Sequence, residues 1–287
     1  MKIQFNNIAM TSMLFWFDNK LLTNGEAFTN HASYFWPVDT RYYGYYTYGA
    51  PFKQMVIDES ISGANIISGV YINGTFTQVG QNYLSGINAS QGQLYFSQPI
   101  AGAPTSISGN YAVKDFNLYL TSETEEDLLF ETQFQLKPQT YQNPTGLASN
   151  AETYPVIYLK YQGGSNEPLA FGGMDTTYIN VRAIVLSDNI FKLDAVISIF
   201  RDTSRQFVPL IYDNEMPFNM LGSCTGHCFN YQELVANKQV DYQYLYINDV
   251  SVSKTDSRLS NSYNKLNPNL FTAFIDFELA QNRQPHQ

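Results

Sequence analysis

Cys224, His227 and Cys228 fall within five residues of the segment Ser-Cys-Thr-Gly-His-Cys-Phe. Thiol and imidazole at such short range are the groups that hold zinc or that generate a thiolate nucleophile. A structural zinc takes four such ligands. The whole chain offers two cysteines and three histidines, His31, His227 and His286. No second cysteine pair exists to complete a site, and the spacing is not Cys-x-x-Cys. A Cys–His nucleophile would also need a third group to orient the base, and none lies nearby. The expectation is a glycine-containing turn with no metal and no cofactor.

Other catalytic signatures fail on spacing. The chain has no Gly-x-Ser-x-Gly elbow, Walker loop or His-Glu-x-x-His. Gly163-Gly164-Ser165 lacks the Lys-Ser/Thr that completes a phosphate cradle. Glu123-Thr124-Glu125-Glu126-Asp127 gathers carboxylates of the kind used in glycoside hydrolysis or calcium binding. The ligand alternation of an EF-hand is missing, so the run reads as a solvated turn between strands. The expectation is a chain that is not an enzyme.

Tyr34-Phe35-Trp36-Pro37-Val38-Asp39-Thr40-Arg41-Tyr42-Tyr43-Gly44-Tyr45-Tyr46-Thr47-Tyr48-Gly49 is the most unusual stretch, with seven aromatics between Tyr34 and Tyr46. Tyrosine joins a broad apolar face to one hydroxyl, which suits a recognition surface. Two readings stand: a contact surface for protein or sugar, and a loop packed on the fold's own sheet.

The elements that would carry these residues are mostly short strands. Asn73-Gly74, between Gly69–Ile72 and Thr75–Val79, predicts a two-residue hairpin turn. Asn24-Gly25 predicts a second between Lys20–Leu22 and Glu26–Phe28. Further strands are expected at Gln93–Phe96, at Tyr111–Leu120 with Ala112, Phe116, Leu118 and Leu120 facing the core, and at Leu128–Leu136. Pro138, Pro144 and Pro155 bracket a loop or linker over 139–155, and a Gly-rich stretch follows at Gln162–Pro168. Tyr178–Leu186 reads as a buried strand. Ser187-Asp188 then caps a helix whose apolar stripe is Ile190, Leu193, Val196, Ile197 and Phe200. Phe207–Ile211, Tyr244–Val252 and Phe271–Leu279 are extended, Tyr231–Lys238 is a weak helix, and Gln281–Gln287 is a polar tail expected to fray.

The fold expected is mainly β (α+β): an antiparallel β-sandwich or β-barrel-like sheets, with one or two helices packed on the C-terminal part. The expected division is a β-rich part over 1–138, the 139–155 loop, and an α+β part over 156–287, all compatible with one composite domain. Charged residues are 14% of the chain and aromatics 15%, so it is ordered although poor in charge. The net charge of −9 and the lack of any Lys/Arg run argue against nucleic-acid readout. Met13–Phe17, the most apolar stretch near the start, is far shorter than a membrane span, and Met1–Phe17 carries Lys2 as its one positive charge. No membrane partner and no secretory signal are expected.

Low charge, abundant Asn, Gln, Thr and Tyr, short strands and long loops together resemble a tailed-bacteriophage virion protein. The segments that carry this are Ser68–Gly74, Ile107–Leu120, Tyr246–Val252 and Phe274–Phe277. The strand–cap–helix at Tyr178–Arg205 resembles part of a neck, head–tail connector or tail-terminator fold. The resemblance implies a non-enzymatic structural protein of the virion, present in the host cytoplasm during assembly. It implies a homo-oligomeric ring whose partners are itself and neighbouring portal, adaptor or tail proteins. Ring subunits meet through heterologous interfaces, for which Tyr34, Trp36, Tyr42, Tyr43, Tyr45, Tyr46, Tyr48, Tyr141 and Tyr154 are the candidate contacts. The alternative is a carbohydrate- or receptor-binding module, an adhesin or baseplate protein.

Overall fold

The computed structural model describes residues 4–38, 44–100, 106–125, 127–128, 154–170, 173–212, 214–216, 228–236, 238, 243–254 and 270–284. The expected strand after Leu128 and almost all of the 139–155 loop lie outside them, as do Cys224 and His227.

The chain opens on a helix, α1 (Phe5–Asn24), where the sequence suggested only strands. Its apolar residues run on consecutively because neighbours surround it. Phe15 meets Phe229 at 5.3 Å, Trp16 meets Phe277 at 6.5 Å, and Phe17 stacks on Phe200 at 3.5 Å. A helix packed on several sides needs no narrow stripe. Asn24-Gly25 is therefore a helix stop and not a hairpin turn: Gly25 is the C-cap, its N–H bonded to the Leu21 carbonyl.

A seven-stranded antiparallel sheet follows, in the order β4-β3-β7-β1-β2-β6-β5. Its members are β1 (Phe28–Pro37), β2 (Tyr46–Gly49), β3 (Gly69–Ile72), β4 (Thr75–Gln78), β5 (Leu84–Asn88), β6 (Gln93–Phe96) and β7 (Ile107–Lys114). The β3–β4 hairpin turns on Asn73-Gly74, with φ of 49° and 84° as a type I′ turn requires. Only the end of β1 pairs with β2, so β1 joins two smaller sheets. Between them lies a core of Phe35, Val70, Leu84, Leu94, Phe96, Ile107 and Tyr111.

The expected strand Tyr111–Leu120 is broken at Asp115-Phe116. Asp115 N–H bonds the Ala27 carbonyl and its carboxylate accepts from Thr29, which holds the kink. Beyond it β8 (Asn117–Thr121) enters the second sheet, so the alternation expected of one strand is lost: Tyr111 is buried and Leu120 exposed.

The second sheet has six strands, in the order β11-β12-β13-β10-β9-β8. Its other members are β9 (Val156–Ala170), β10 (Met174–Ser187), β11 (Phe207–Pro209), β12 (Tyr244–Lys254) and β13 (Phe271–Arg283). Among the described strand pairings of this sheet, only β8–β9 is parallel. Gly163-Gly164 is inside β9 and not in a loop. The register shifts opposite it at Asn180/Val181, Gly163 has φ of 112°, and a Cβ on Gly164 would sit 2.2 Å from the Tyr178 carbonyl oxygen. The expected fraying tail is partly strand, with Gln281 buried opposite Thr177. Arg283 donates to Thr177 Oγ1 at 2.7 Å and covers the Phe5 ring.

On this sheet packs α2 (Ile190–Arg201), through Leu193, Val196, Ile197 and Phe200; Ile190, expected in the stripe, is exposed. The cap is Asn189, whose side chain accepts from Phe191 N–H at 2.8 Å, while Ser187 Oγ accepts from Asn189 N–H. A short helix, α3 (Tyr231–Ala236), adds Tyr231 to the same core. The principal core therefore draws on α1 and β8 from one side of the 139–155 segment and on β9–β13 and α2 from the other. Among the described residues, no helix is long and apolar enough to cross a membrane.

Candidate functional site

Tyr34–Pro37 and Tyr46–Gly49, the two ends of the aromatic segment, lie in the seven-stranded sheet, and register decides which of their rings reach solvent. Tyr34 lies opposite Ser108, Ser108 opposite Tyr71, and Tyr71 opposite Phe76. Directly opposed residues share a face. The row Tyr34–Ser108–Tyr71–Phe76 thus crosses four adjacent strands on one side of the sheet, spanning roughly 14 Å at the usual strand spacing. On the reverse side Phe35, Ile107 and Ile72 enter the core. Tyr34 is 58% exposed, Tyr71 38% and Phe76 42%, and the Tyr71 and Phe76 rings meet at 5.2 Å. Asn110, opposite Ala32, continues the face without charge.

The other candidates divide. Trp36 shares the face of Tyr34 and is half-buried, while Tyr45 and Tyr46 are exposed, Tyr45 edge-on to Tyr95 at 6.2 Å. Tyr48 turns inward and packs on Phe96 at 5.5 Å. Tyr154, expected at a subunit contact, is instead 7% exposed in a small core with Leu128, Val156, Ile184 and Leu186. Tyr42, Tyr43 and Tyr141 lie outside the described residues. Tyr71 and Phe76 carry no mark in composition, yet the two-residue turn at Asn73-Gly74 already places them opposite each other.

Behind the row, Tyr111 is fully buried, with its hydroxyl against Ser33. Burial pushes its phenol above the ordinary value, and the Ser33 hydrogen bond offsets part of that. His31 stacks on Phe52 at 4.2 Å. The Ser33–Tyr111 contact joins β1 to β7, the strands that present Tyr34 and Ser108.

Of the described chemistry-bearing groups, several are engaged elsewhere. Glu125 pairs with Arg182 at 2.7 Å, and Arg182 also forks onto Asp276 at 2.6 and 3.0 Å, so the acidic run is tied to the second sheet rather than merely solvated. The Asp276 hydrogen bonds hold the guanidinium above its ordinary value, against burial. Cys228 Sγ donates to the Ile67 carbonyl at 3.7 Å. Among the described residues, no group of three or more His, Cys, Asp or Glu side chains converges as a metal site.

A second surface feature lies at the connection of β4 to β5. Asn82 and Tyr83 are consecutive left-handed residues, with φ of 44° and 65°. For a non-glycine residue that conformation costs on the order of 1–3 kcal/mol. Tyr83 is 54% exposed beside an open cleft of about 500 Å³.

Comparison with known protein families finds no matching family, and comparison with curated protein sequences finds no match.

Proposed function

We propose that the chain is a structural, non-enzymatic component of a tailed-phage virion, a subunit that closes with copies of itself into a ring in the neck, head–tail connector or tail. The observation that carries this reading is the exposed, uncharged row Tyr34–Tyr71–Phe76. Aromatic rings bury on the order of 150–250 Å² each when covered. With no charge to desolvate, such a face favours contact with protein. The β9 edge supports a heterologous contact. β8 stops at Thr121, opposite Lys160, so residues 161–170 of β9 pair on one side only among the described residues. Among the described residues the chain thus carries two unlike surfaces, an aromatic face and a strand edge with no partner strand, as a ring subunit requires.

Native mass spectrometry of the purified chain, with its copy number in purified particles, tests the reading. Closed oligomers of a few to about a dozen copies, matched by that number per particle, are the expected result. A monomer at every concentration, together with absence from particles, would refute it.

A further inference from the structure

We propose that the cleft beside Tyr83 is a binding site for a neutral sugar. Glycine would take the backbone conformation of Tyr83 without strain, and the Tyr83 ring, largely in solvent, packs too little to compensate. The next residue, Leu84, is wholly buried and anchors the loop in the core. The loop is closed by hydrogen bonds from Gly80 N–H to the Leu84 carbonyl at 2.7 Å and from Leu84 N–H to the Gln81 carbonyl at 2.8 Å. Ser97 N–H bonds the Tyr83 carbonyl at 2.9 Å. The fold therefore holds an aromatic ring outward where glycine would be easier, and a surface ring held at such a cost points to a ligand.

The walls of the cleft say which ligand. Gly80, Asn82, Leu84, Ser85 and Ser97 line it with Tyr83, and none carries a charge. An ion would find no counter-charge there. The hydroxyls of Ser85 and Ser97 donate to the Tyr83 carbonyl at 3.3 and 3.5 Å, which leaves their oxygens able to accept from a ligand. A pyranose presents a C–H face that covers an aromatic ring and a rim of hydroxyls that bonds such walls. The volume, about 500 Å³, falls in the range of small-molecule sites. The site uses none of Tyr34, Tyr71 or Phe76, so it stands or falls apart from the assembly reading.

The test is an array of neutral hexose and N-acetylhexosamine oligosaccharides probed with the full chain, then calorimetric titration of the best binder. Saturable binding is expected, weakened roughly tenfold or more in Tyr83→Gly. The thermal midpoint of that variant should equal or exceed the wild type, because glycine relieves the backbone. Tyr83→Asn, which also tolerates the left-handed conformation, should lose binding in the same way. Tyr34→Ala with Tyr71→Ala should bind as the wild type does. The proposal is overturned by no oligosaccharide binding above background, by binding that survives both Tyr83 variants, or by loss confined to the Tyr34/Tyr71 pair.

Discussion

The backbone N–H of Tyr231 donates to Oδ1 of Asp58 at 3.0 Å, joining positions 173 apart in sequence. Asp58 is 1% exposed. The same oxygen accepts from Ser60 N–H at 3.0 Å, and Oδ2 accepts from Asn19 Nδ2 at 3.0 Å. One buried carboxylate thus ties α1, the segment before β3 and the start of α3 together. Among the described residues, hydrogen bonds to it rather than a cation account for its burial.

Removing that acceptor should be costly. Asp58→Ala takes this acceptor from the Ser60 and Tyr231 amides, while Asn19 Nδ2 keeps Ser60 Oγ at 3.4 Å; each buried donor left unpaired costs about 1–3 kcal/mol. A loss of about 3 kcal/mol is expected, read as a lower urea midpoint at unchanged slope. Asp58→Asn keeps an oxygen for both amides and should lose about 1 kcal/mol. An alanine variant within about 0.5 kcal/mol of the wild type would show the junction to be incidental.

Much of this architecture was readable in the residues. The Asn73-Gly74 hairpin, β10, β12 and β13 follow from turn chemistry and β-branched runs, and the Leu193–Phe200 stripe marks α2. Misreadings came where tertiary context overrides a local pattern. Met13–Phe17 is a solid apolar block because both the sheet and α2 close on α1, and Asn24-Gly25 serves as well to stop a helix as to turn a hairpin. The Asp115-Phe116 kink is invisible to periodicity, since the residues on either side alternate in different sheets. At the candidate sites, Tyr34 stands out by composition and Tyr71–Phe76 by hairpin register. Tyr83 does not stand out at all, because a positive φ is a property of the closed loop and not of the residue type.

Glu215 should make stability depend on acid. Lys238 Nζ donates to its two carboxylate oxygens at 2.7 and 2.6 Å, and Tyr212 N–H donates at 2.9 Å. Burial alone would raise its pKa; the Lys238 hydrogen bond, the Tyr212 amide and the ammonium charge outweigh burial and hold it below the ordinary value of 4.5. A depressed carboxylate stabilises the fold above its unfolded pKa, and that contribution is lost as pH falls through the folded value. Glu215→Gln should lower stability at pH 7 by about 1–3 kcal/mol: solvent screens the partly exposed Glu215, but the Lys238 side chain, 2% exposed, loses this counter-charge. It should also flatten the fall of stability below pH 4.5. Chemical unfolding curves taken across that range would contradict this if the two proteins lost stability in parallel.

The aromatic row separates folding from association. Tyr71 and Phe76 already face solvent in the single chain, and their ring contact lies on the outside of the β3–β4 hairpin. Surface changes away from special features move stability by about 0.5 kcal/mol at most. The pair also stabilises the hairpin as a cross-strand contact, by roughly 0.2–1 kcal/mol. Replacing Tyr71→Ser and Phe76→Ser together should therefore leave a folded chain with a slightly lower thermal midpoint. If the row is the subunit contact, the same change uncovers polar hydroxyls across the contact, and sedimentation should then show monomer where the wild type associates. Val70 and Ile72, on the core side of the same strand, give the opposite signature. Val70→Ser should destabilise the fold by about 2–3 kcal/mol, by losing a buried side chain and burying a hydroxyl. An outer-face pair that unfolded the chain as Val70→Ser does would mean that the row is structural. A pair that changed neither stability nor association would mean that the contact lies elsewhere.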